Sequence, residues 1–149
     1  ITIYLFMNLA FFACILMLRR DDKYFENIED LSGLSKHHPV LSFSFLIVLF
    51  SLAGIPPLAG FFAKFYIFTA VLEESMYFLA IVGLLSTVIA AYYYLRLIKI
   101  IYFDSEKEKY ETNHNIGLKI SLLISSIFIL FYFIYPSWLT EIIENIIVI

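Results

Sequence analysis

The sequence predicts an all-α, polytopic membrane protein with four transmembrane helices. The second helix is broken at Gly54–Pro57, and an amphipathic segment at the C-terminal end lies along the interface. Three observations carry this. Of 149 residues, 62% are hydrophobic and 19% aromatic, with a mean hydropathy of +0.88. Soluble domains are about 45–50% apolar, so this chain has too few polar side chains to cover a water-facing surface. The apolar residues gather into four long segments, each able to cross a hydrocarbon core of roughly 30 Å. One segment contains Gly54-Ile55-Pro56-Pro57 and then a lone charge, Lys64.

The first segment, ITIYLFMNLAFFACILML, runs from Ile1 to Leu18, and Arg19-Arg20-Asp21-Asp22 stops it. As a helix it is about 27 Å long, just enough for one crossing. Ile1 already stands in the apolar run, without a basic region and cleavage site, so no signal peptide is expected. The chain is expected to lack its own natural beginning. The next stretch, KYFENIEDLSGLSKHH, is polar and partly amphipathic and predicts a short helix on the membrane surface.

The second segment, Val40 to Leu72, is about 50 Å if straight, too long for one crossing unless it tilts strongly or breaks. Glu73-Glu74-Ser75 then forces an antiparallel hairpin into the third segment, Met76 to Phe103, which fits a tilted crossing. DSEKEKYETNHN, Asp104 to Asn115, is a solvated loop. The fourth segment, Leu118 to Tyr135, stops at Pro136, and Trp138 follows as an interfacial anchor. Beyond it Leu139, Ile142, Ile143, Ile146 and Ile147 recur at helical spacing, which suits a helix lying in the interface. The chain shows no internal repeat.

Lysine and arginine placement sets the orientation. Arg19, Arg20, Lys23 and Lys36 follow the first segment; Lys107 and Lys109 follow the third, with Arg96, Lys99 and Lys119 on the flanking helix ends; the hairpin turn has none. Both basic loops are therefore expected on the cytoplasmic side, or the matrix side of a mitochondrion. A net charge of -3 excludes the basic footprint that nucleic acid requires. One cysteine, Cys14, permits neither an internal disulfide nor a thiolate metal site. There is no nucleophile with a neighbouring base, no phosphate loop, and no metal spacing beyond His37-His38.

Chemistry is expected at the break. Pro56 and Pro57 have no N–H to give to the carbonyls of Leu52 and Ala53, and Gly54 loosens the same turn. Free carbonyls deep in a membrane are tolerated only against protein or a water-filled cavity. The alternative is an ordinary proline kink. Lys64 stands roughly 12 Å from the Leu72 end, too far for its amine to reach the surface. An unpaired central lysine facing lipid costs about 2.5–3.5 kcal/mol. Gly60, one turn below on the same face, is expected to leave space beside it, with Phe61, Phe62, Phe65 and Phe68 limiting water. A lysine so desolvated can release and regain a proton during turnover; the alternative is a lysine paired permanently with a carboxylate of another helix.

Other polar residues are weaker candidates. Asn8 can bond across helices or simply pack. Ser51, Ser86 and Thr87 can support a water chain or bond their own helix backbone. His38, with His37, stands at the mouth of the broken segment and suits proton collection, or is polar flank. Arg96 and Lys99 are near enough to the surface to snorkel.

The run SLAGIPPLAGFFAKFYIF, then the acidic turn, then STVIAAYYYLRLIKIIYF resembles the subunit N family of NADH-quinone oxidoreductase (respiratory complex I). YLFMNLAFF at Tyr4–Phe12 and HPVLSF at His38–Phe43 extend the likeness over most of the chain to Phe103. The resemblance implies two inverted five-helix repeats, each with one broken helix, in a fourteen-helix protein of which these are the last four helices. It implies that Lys64 belongs to a chain of buried charges that conducts protons, and that Pro56 and Pro57 form the break. The family's membrane glutamate and first-repeat lysines have no counterpart in this sequence. The resemblance also implies other membrane and peripheral subunits of complex I as partners, and the lipid bilayer of a bacterial inner membrane in preference to a mitochondrial one. No cofactor is expected on this chain; NADH, flavin, iron–sulfur clusters and quinone belong to partner subunits. The competing readings are a subunit of a multisubunit sodium/proton antiporter and a non-conducting scaffold.

Overall fold

Sixteen consecutive residues without glycine or proline form the first helix, α1 (Thr2–Met17), and the chain turns extended at Leu18 as the polar run begins. The computed structural model describes residues 1–20, 23–24, 27–105, 111–112, 115–137 and 141. Three very short strands follow one another in a small antiparallel ladder: β1 (Leu18–Arg20), β2 (Lys23–Tyr24) and β3 (Glu111–Thr112), in the order β2-β1-β3. Leu18 opposes Thr112 and Arg20 opposes Lys23. The ladder joins the segments after the first and third apolar runs at one end of the molecule. The remaining regular structure among the described residues is helical.

The stretch from Lys23 to His38, expected as a short surface helix, is instead β2, a 3-10 turn at Ile28–Leu31 and one turn of helix, α2 (Leu34–His37). The reason is local competition for backbone groups. The Asn27 and Asp30 side chains cap each other's N–H groups, and the Ser32 hydroxyl donates to the Glu29 carbonyl at 2.7 Å. Gly33, at φ 69°, turns the chain in a way other residues resist, and its N–H donates to the Ile100 carbonyl at 3.1 Å.

The second apolar segment forms two helices, α3 (Pro39–Ala53) and α4 (Ala59–Glu73). Pro39 is at the start of α3, where its missing N–H costs nothing. The Glu73-Glu74-Ser75 turn closes through Glu74 N–H to Ala70 and Met76 N–H to Val71, and leads into α5 (Tyr77–Phe103). The next helix, α6 (Ile116–Phe131), begins on the Asn115 side chain, which accepts from Gly117 N–H at 2.9 Å. It tightens into a 3-10 turn at Tyr132–Ile134 ahead of Pro136. Trp138 and the tail residues Leu139, Ile142, Ile143, Ile146 and Ile147 lie outside the described residues, as do Lys107 and Lys109.

The core lies where α1 packs against α6 and α3, and α3 against α5. Phe45, Val48 and Leu49 of α3 and Ile129 of α6 are buried there. Ala10 and Ala13 of α1 and Ser125 of α6, also buried, are small enough for packed backbones to approach closely. Stacked Phe6 and Phe128, 4.2 Å between centroids, tie α1 to α6, and Phe62 against Tyr132 brings in α4. Buried residues of α5 are confined to Ile98, Ile100 and Ile101. Towards its other end Phe78, Ile81, Leu85, Val88 and Ile89 are exposed. A contiguous aliphatic face of this kind suits acyl chains or protein and not water. Among the described residues, α5 and the run Ile116–Ile134 are long and apolar enough to cross a membrane; α1 and α3 are apolar but shorter.

Candidate functional site at the interrupted helix

An α-helix ends with four carbonyls that its own N–H groups cannot reach. In α3 these are the carbonyls of Phe50, Ser51, Leu52 and Ala53, and each has a donor. Gly54, at φ 86°, turns the backbone left-handed, so its N–H reaches the Ser51 carbonyl at 2.9 Å and Ile55 N–H reaches that of Phe50 at 3.0 Å. This is the glycine-terminated C-cap expected of a helix stop. The remaining two carbonyls are those Pro56 and Pro57 cannot serve. Lys64, on the second turn of α4, fills both places: its Nζ donates to Leu52 at 3.0 Å and to Ala53 at 2.9 Å. An ammonium there also meets the negative end of the α3 dipole.

The stitching is reciprocal. Ser51, fully buried on α3, accepts from Gly60 N–H at 3.0 Å and so caps the start of α4; its hydroxyl donates to Met7 Sδ on α1 at 3.0 Å. Thus α3 caps α4 through a serine, and α4 caps α3 through a lysine. Ser51→Ala leaves the Gly60 N–H without a partner in a buried site. It is expected to cost about 1–3 kcal/mol, read as a lowered unfolding temperature of the purified protein in detergent.

Gly54 and Gly60 are each fixed by a contact. A Cβ at Gly54 would lie 2.9 Å from Lys64 Cδ and 3.1 Å from Nζ, in a backbone region that side chains disfavour. Gly54→Ala is expected to lose about 1–2 kcal/mol for the left-handed backbone alone and to push the amine off its carbonyls; the same unfolding measurement reads it. Gly60 borders a cavity together with Lys64, and it makes a second close contact as well. Its Cα is pressed against the Ser51 backbone, where an added Cβ would collide with the carbonyl oxygen and stand 2.7 Å from its carbon. The absent side chain lets the two helix ends meet.

Beyond its two bonds, Lys64 is half-buried and faces the space between α4 and α5. One cavity of about 280 Å³ is bounded by Tyr4 and Met7 of α1, Gly60 and Lys64 of α4, and Thr87 and Tyr94 of α5. A second, of about 320 Å³, runs from Lys64 along Phe68 to Gly83. Ser86 and Thr87 line both, and their hydroxyls donate to their own helix at Gly83 and Leu84, each at 2.7 Å. Their oxygens keep lone pairs for further donors. Phe61 stacks on Phe65 and packs edge-on to Phe62.

The other predicted residues fall elsewhere. His38 begins α3, roughly 22 Å along the helix from Ala53 at 1.5 Å per residue, so it does not meet Lys64. Asn8 bonds the Tyr4 carbonyl of its own helix at 2.8 Å instead of crossing to another. Lys99, exposed, lies 4.0 Å from Asp104 at the surface end of α5. No carboxylate of a described residue pairs with Lys64; two backbone carbonyls take that place. Sequence reasoning missed Met7 and Tyr94, because nothing in the chain announces that α1 and α5 close over the break.

An apolar helical bundle, in which α5 and the run Ile116–Ile134 are long and apolar enough to cross a membrane, places the chain in the class of helical membrane proteins. The chain belongs to the family described as NADH:quinone oxidoreductase/Mrp antiporter, TM, which it matches over residues 1–90. It is 72% identical over 145 residues to NADH-quinone oxidoreductase subunit N of Pelagibacter ubique (strain HTCC1062), covering 97% of this chain and 31% of that protein. The protein of the same name from Parvibaculum lavamentivorans is 47% identical over 137 residues, covering 92% of this chain and 28% of that protein. The chain therefore spans less than a third of the length of these curated relatives. In fold it is similar to a chain of respiratory complex I from Thermus thermophilus with bound aureothin, with a TM-score of 0.68 at 24% identity over 89% of this chain and 32% of that one.

Proposed function

We propose that this chain forms the last four membrane crossings of an NADH-quinone oxidoreductase subunit N and passes protons through a half-channel centred on Lys64. In this reading the crossings lie at about 1–18, 40–72, 76–103 and 118–135. The second is one discontinuous span made of α3 and α4, and the basic loops face the cytoplasm of a bacterium, in its inner membrane. The bacterial subunit N relatives support the assignment. Redox chemistry belongs to partner subunits, which would hold NADH, flavin, iron–sulfur clusters and quinone; this chain would carry protons only.

The observation that supports it most is the position of the Lys64 amine, bonded to the free end of an interrupted helix and open to cavities lined by hydroxyls. Two opposed influences act on that amine. Burial penalises its charge, whereas two carbonyl acceptors and the helix dipole reward it. A group that must hold a proton and then release it needs both. Losing the proton would weaken both bonds, free the side chain to swing towards Ser86 and Thr87, and so link protonation to position. Gly60 and Ser51 keep the helix ends in register while the lysine moves, and Gly54, Pro56 and Pro57 keep the carbonyls available. His38 would collect protons at the mouth.

The family description also includes the Mrp antiporters, which favours a second reading as a sodium/proton antiporter subunit. Isolation from its native membrane separates the two. Co-purification with peripheral redox subunits and NADH-driven proton uptake into vesicles is the expected result. Sodium-dependent proton exchange that needs no NADH would replace it with the antiporter reading.

A further inference from the structure

Tyr94 of α5 lines the cavity of about 280 Å³ together with Lys64, Ser86 and Thr87, and it is half-buried against the core. Among the described residues its hydroxyl has no hydrogen-bond partner, and it is not one of the sealed hydroxyls, which are those of Ser42, Ser125 and Ser126. Water can therefore reach it. The two other α5 hydroxyls on this cavity are committed, since Ser86 and Thr87 donate to Gly83 and Leu84 of their own helix, each at 2.7 Å. Tyr4, the second phenol on this cavity, is 62% exposed.

The hairpin makes α4 and α5 antiparallel, and their register is set where Gly83 meets Phe68, a Cβ there standing 3.1 Å from the ring. Four residues on from Gly83 is Thr87 and four back from Phe68 is Lys64, so these two share a level. Tyr94 stands two turns further along α5, about 10 Å. Side chains lean towards the N-terminus of their own helix. Lys64 accordingly leans towards the break, where its amine is bonded, and Tyr94 leans back towards Thr87. Across antiparallel helices the two polar tips approach each other along the cavity. Of the α5 residues that line it, Tyr94 is the nearest to the basic loops.

We propose that Tyr94 is a proton-relay residue for Lys64, passing protons across the cavity towards the basic end of α5. This rests on the proton role of Lys64 and deepens it. The cavity has room for several waters at about 30 Å³ each. An N–H bond of the Lys64 ammonium breaks and its proton passes to a cavity water. That water hands a proton to the phenol oxygen, and the phenol's own proton leaves to the next water. The phenol ends unchanged, and the amine stays neutral until it is reloaded. A hydroxyl can do this because it both donates and accepts. Ser86 and Thr87 would first have to give up their backbone bonds, which Tyr94 does not have.

Tyr94→Phe keeps the ring and removes the hydroxyl. In vesicles carrying the full assembly, NADH-driven proton uptake by this variant is expected to fall about tenfold, short of the roughly 100-fold or more that a positioned proton carrier supplies, since cavity water still bridges the gap. The ratio of uptake rates in H2O and D2O is expected to rise, because proton passage then limits the rate, while the unfolding temperature stays parental. Tyr92→Phe, on the opposite face of α5 at 65% exposure, is expected to behave as the parent. Parental uptake by Tyr94→Phe beside lost uptake in Lys64→Met would overturn the relay and leave the role of Lys64 standing. A fall in uptake with a parental isotope ratio would overturn it too, since packing alone then explains the loss, as would an equal fall in Tyr92→Phe. Parental uptake by both Tyr94→Phe and Lys64→Met would remove the Lys64 reading and the relay with it.

Discussion

Lys64→Met is expected to abolish proton transport by the full-length chain in its assembly and to destabilise the junction of α3 and α4. Methionine keeps the apolar stem but has no N–H. The carbonyls of Leu52 and Ala53 then lose their donors, because Gly54 and Ile55 already serve Ser51 and Phe50, and the prolines have nothing to give. An unsatisfied buried polar group costs about 1–3 kcal/mol, and inside a hydrocarbon core several kcal/mol where water is excluded. Water from the adjoining cavities would recover part of this, so assembly is expected to survive at a lowered unfolding temperature. Transport is not expected to recover, since a thioether carries no proton. Proton uptake into vesicles and thermal unfolding of the same preparation separate the two effects. Normal uptake by a normally assembled variant would remove Lys64 from the pathway.

Gly60→Ala is expected to have the largest effect on folding. A single methyl group is usually a mild change on a helix and favours it by about 1 kcal/mol. Here the new Cβ would overlap the Ser51 carbonyl, a backbone group that cannot rotate away. The clash is relieved only if α4 moves off α3. That movement also stretches the Gly60 N–H bond to Ser51 and withdraws Lys64 from its carbonyls. Overpacking of a core costs about 1–3 kcal/mol and occasionally more; the expected loss lies at or above that upper end, with the yield of assembled protein falling sharply. A Gly60→Ala variant that assembles and melts like the parent would mean that the two helix ends are not in contact.

The apolar segments stand out because each is long and ends at charge, a turn or a proline, and α1, α5 and α6 run through three of them. The stop at Gly54 and the carbonyls orphaned by Pro56 and Pro57 followed from backbone chemistry alone. What the sequence concealed was that two of its problems solve each other. The unserved carbonyls and the stranded lysine are separate puzzles until the chain's path through residues 54–58 is known, because that path decides which face of α4 meets the end of α3. Spacing placed Gly60 beside Lys64; its close approach to the Ser51 backbone is a tertiary contact that spacing could not announce. The region around Asn27 to Ser32 misled for a local reason, as Asn27, Asp30 and Ser32 bond the nearby backbone and close a tight turn before a longer helix can form.

Lys64 is proposed both to hold the broken helix and to move a proton, and Lys64→Arg separates the two. Arginine can donate to both carbonyls and keeps its charge, but it does not give up its proton in a protein. The measurement is NADH-driven proton uptake by vesicles carrying the full assembly with this single change, beside its unfolding temperature. The expected result is an unfolding temperature closer to the parent than that of Lys64→Met, together with loss of proton uptake. Parental proton uptake by Lys64→Arg would contradict it, since a side chain that stays charged would then be doing the work assigned to one that must discharge.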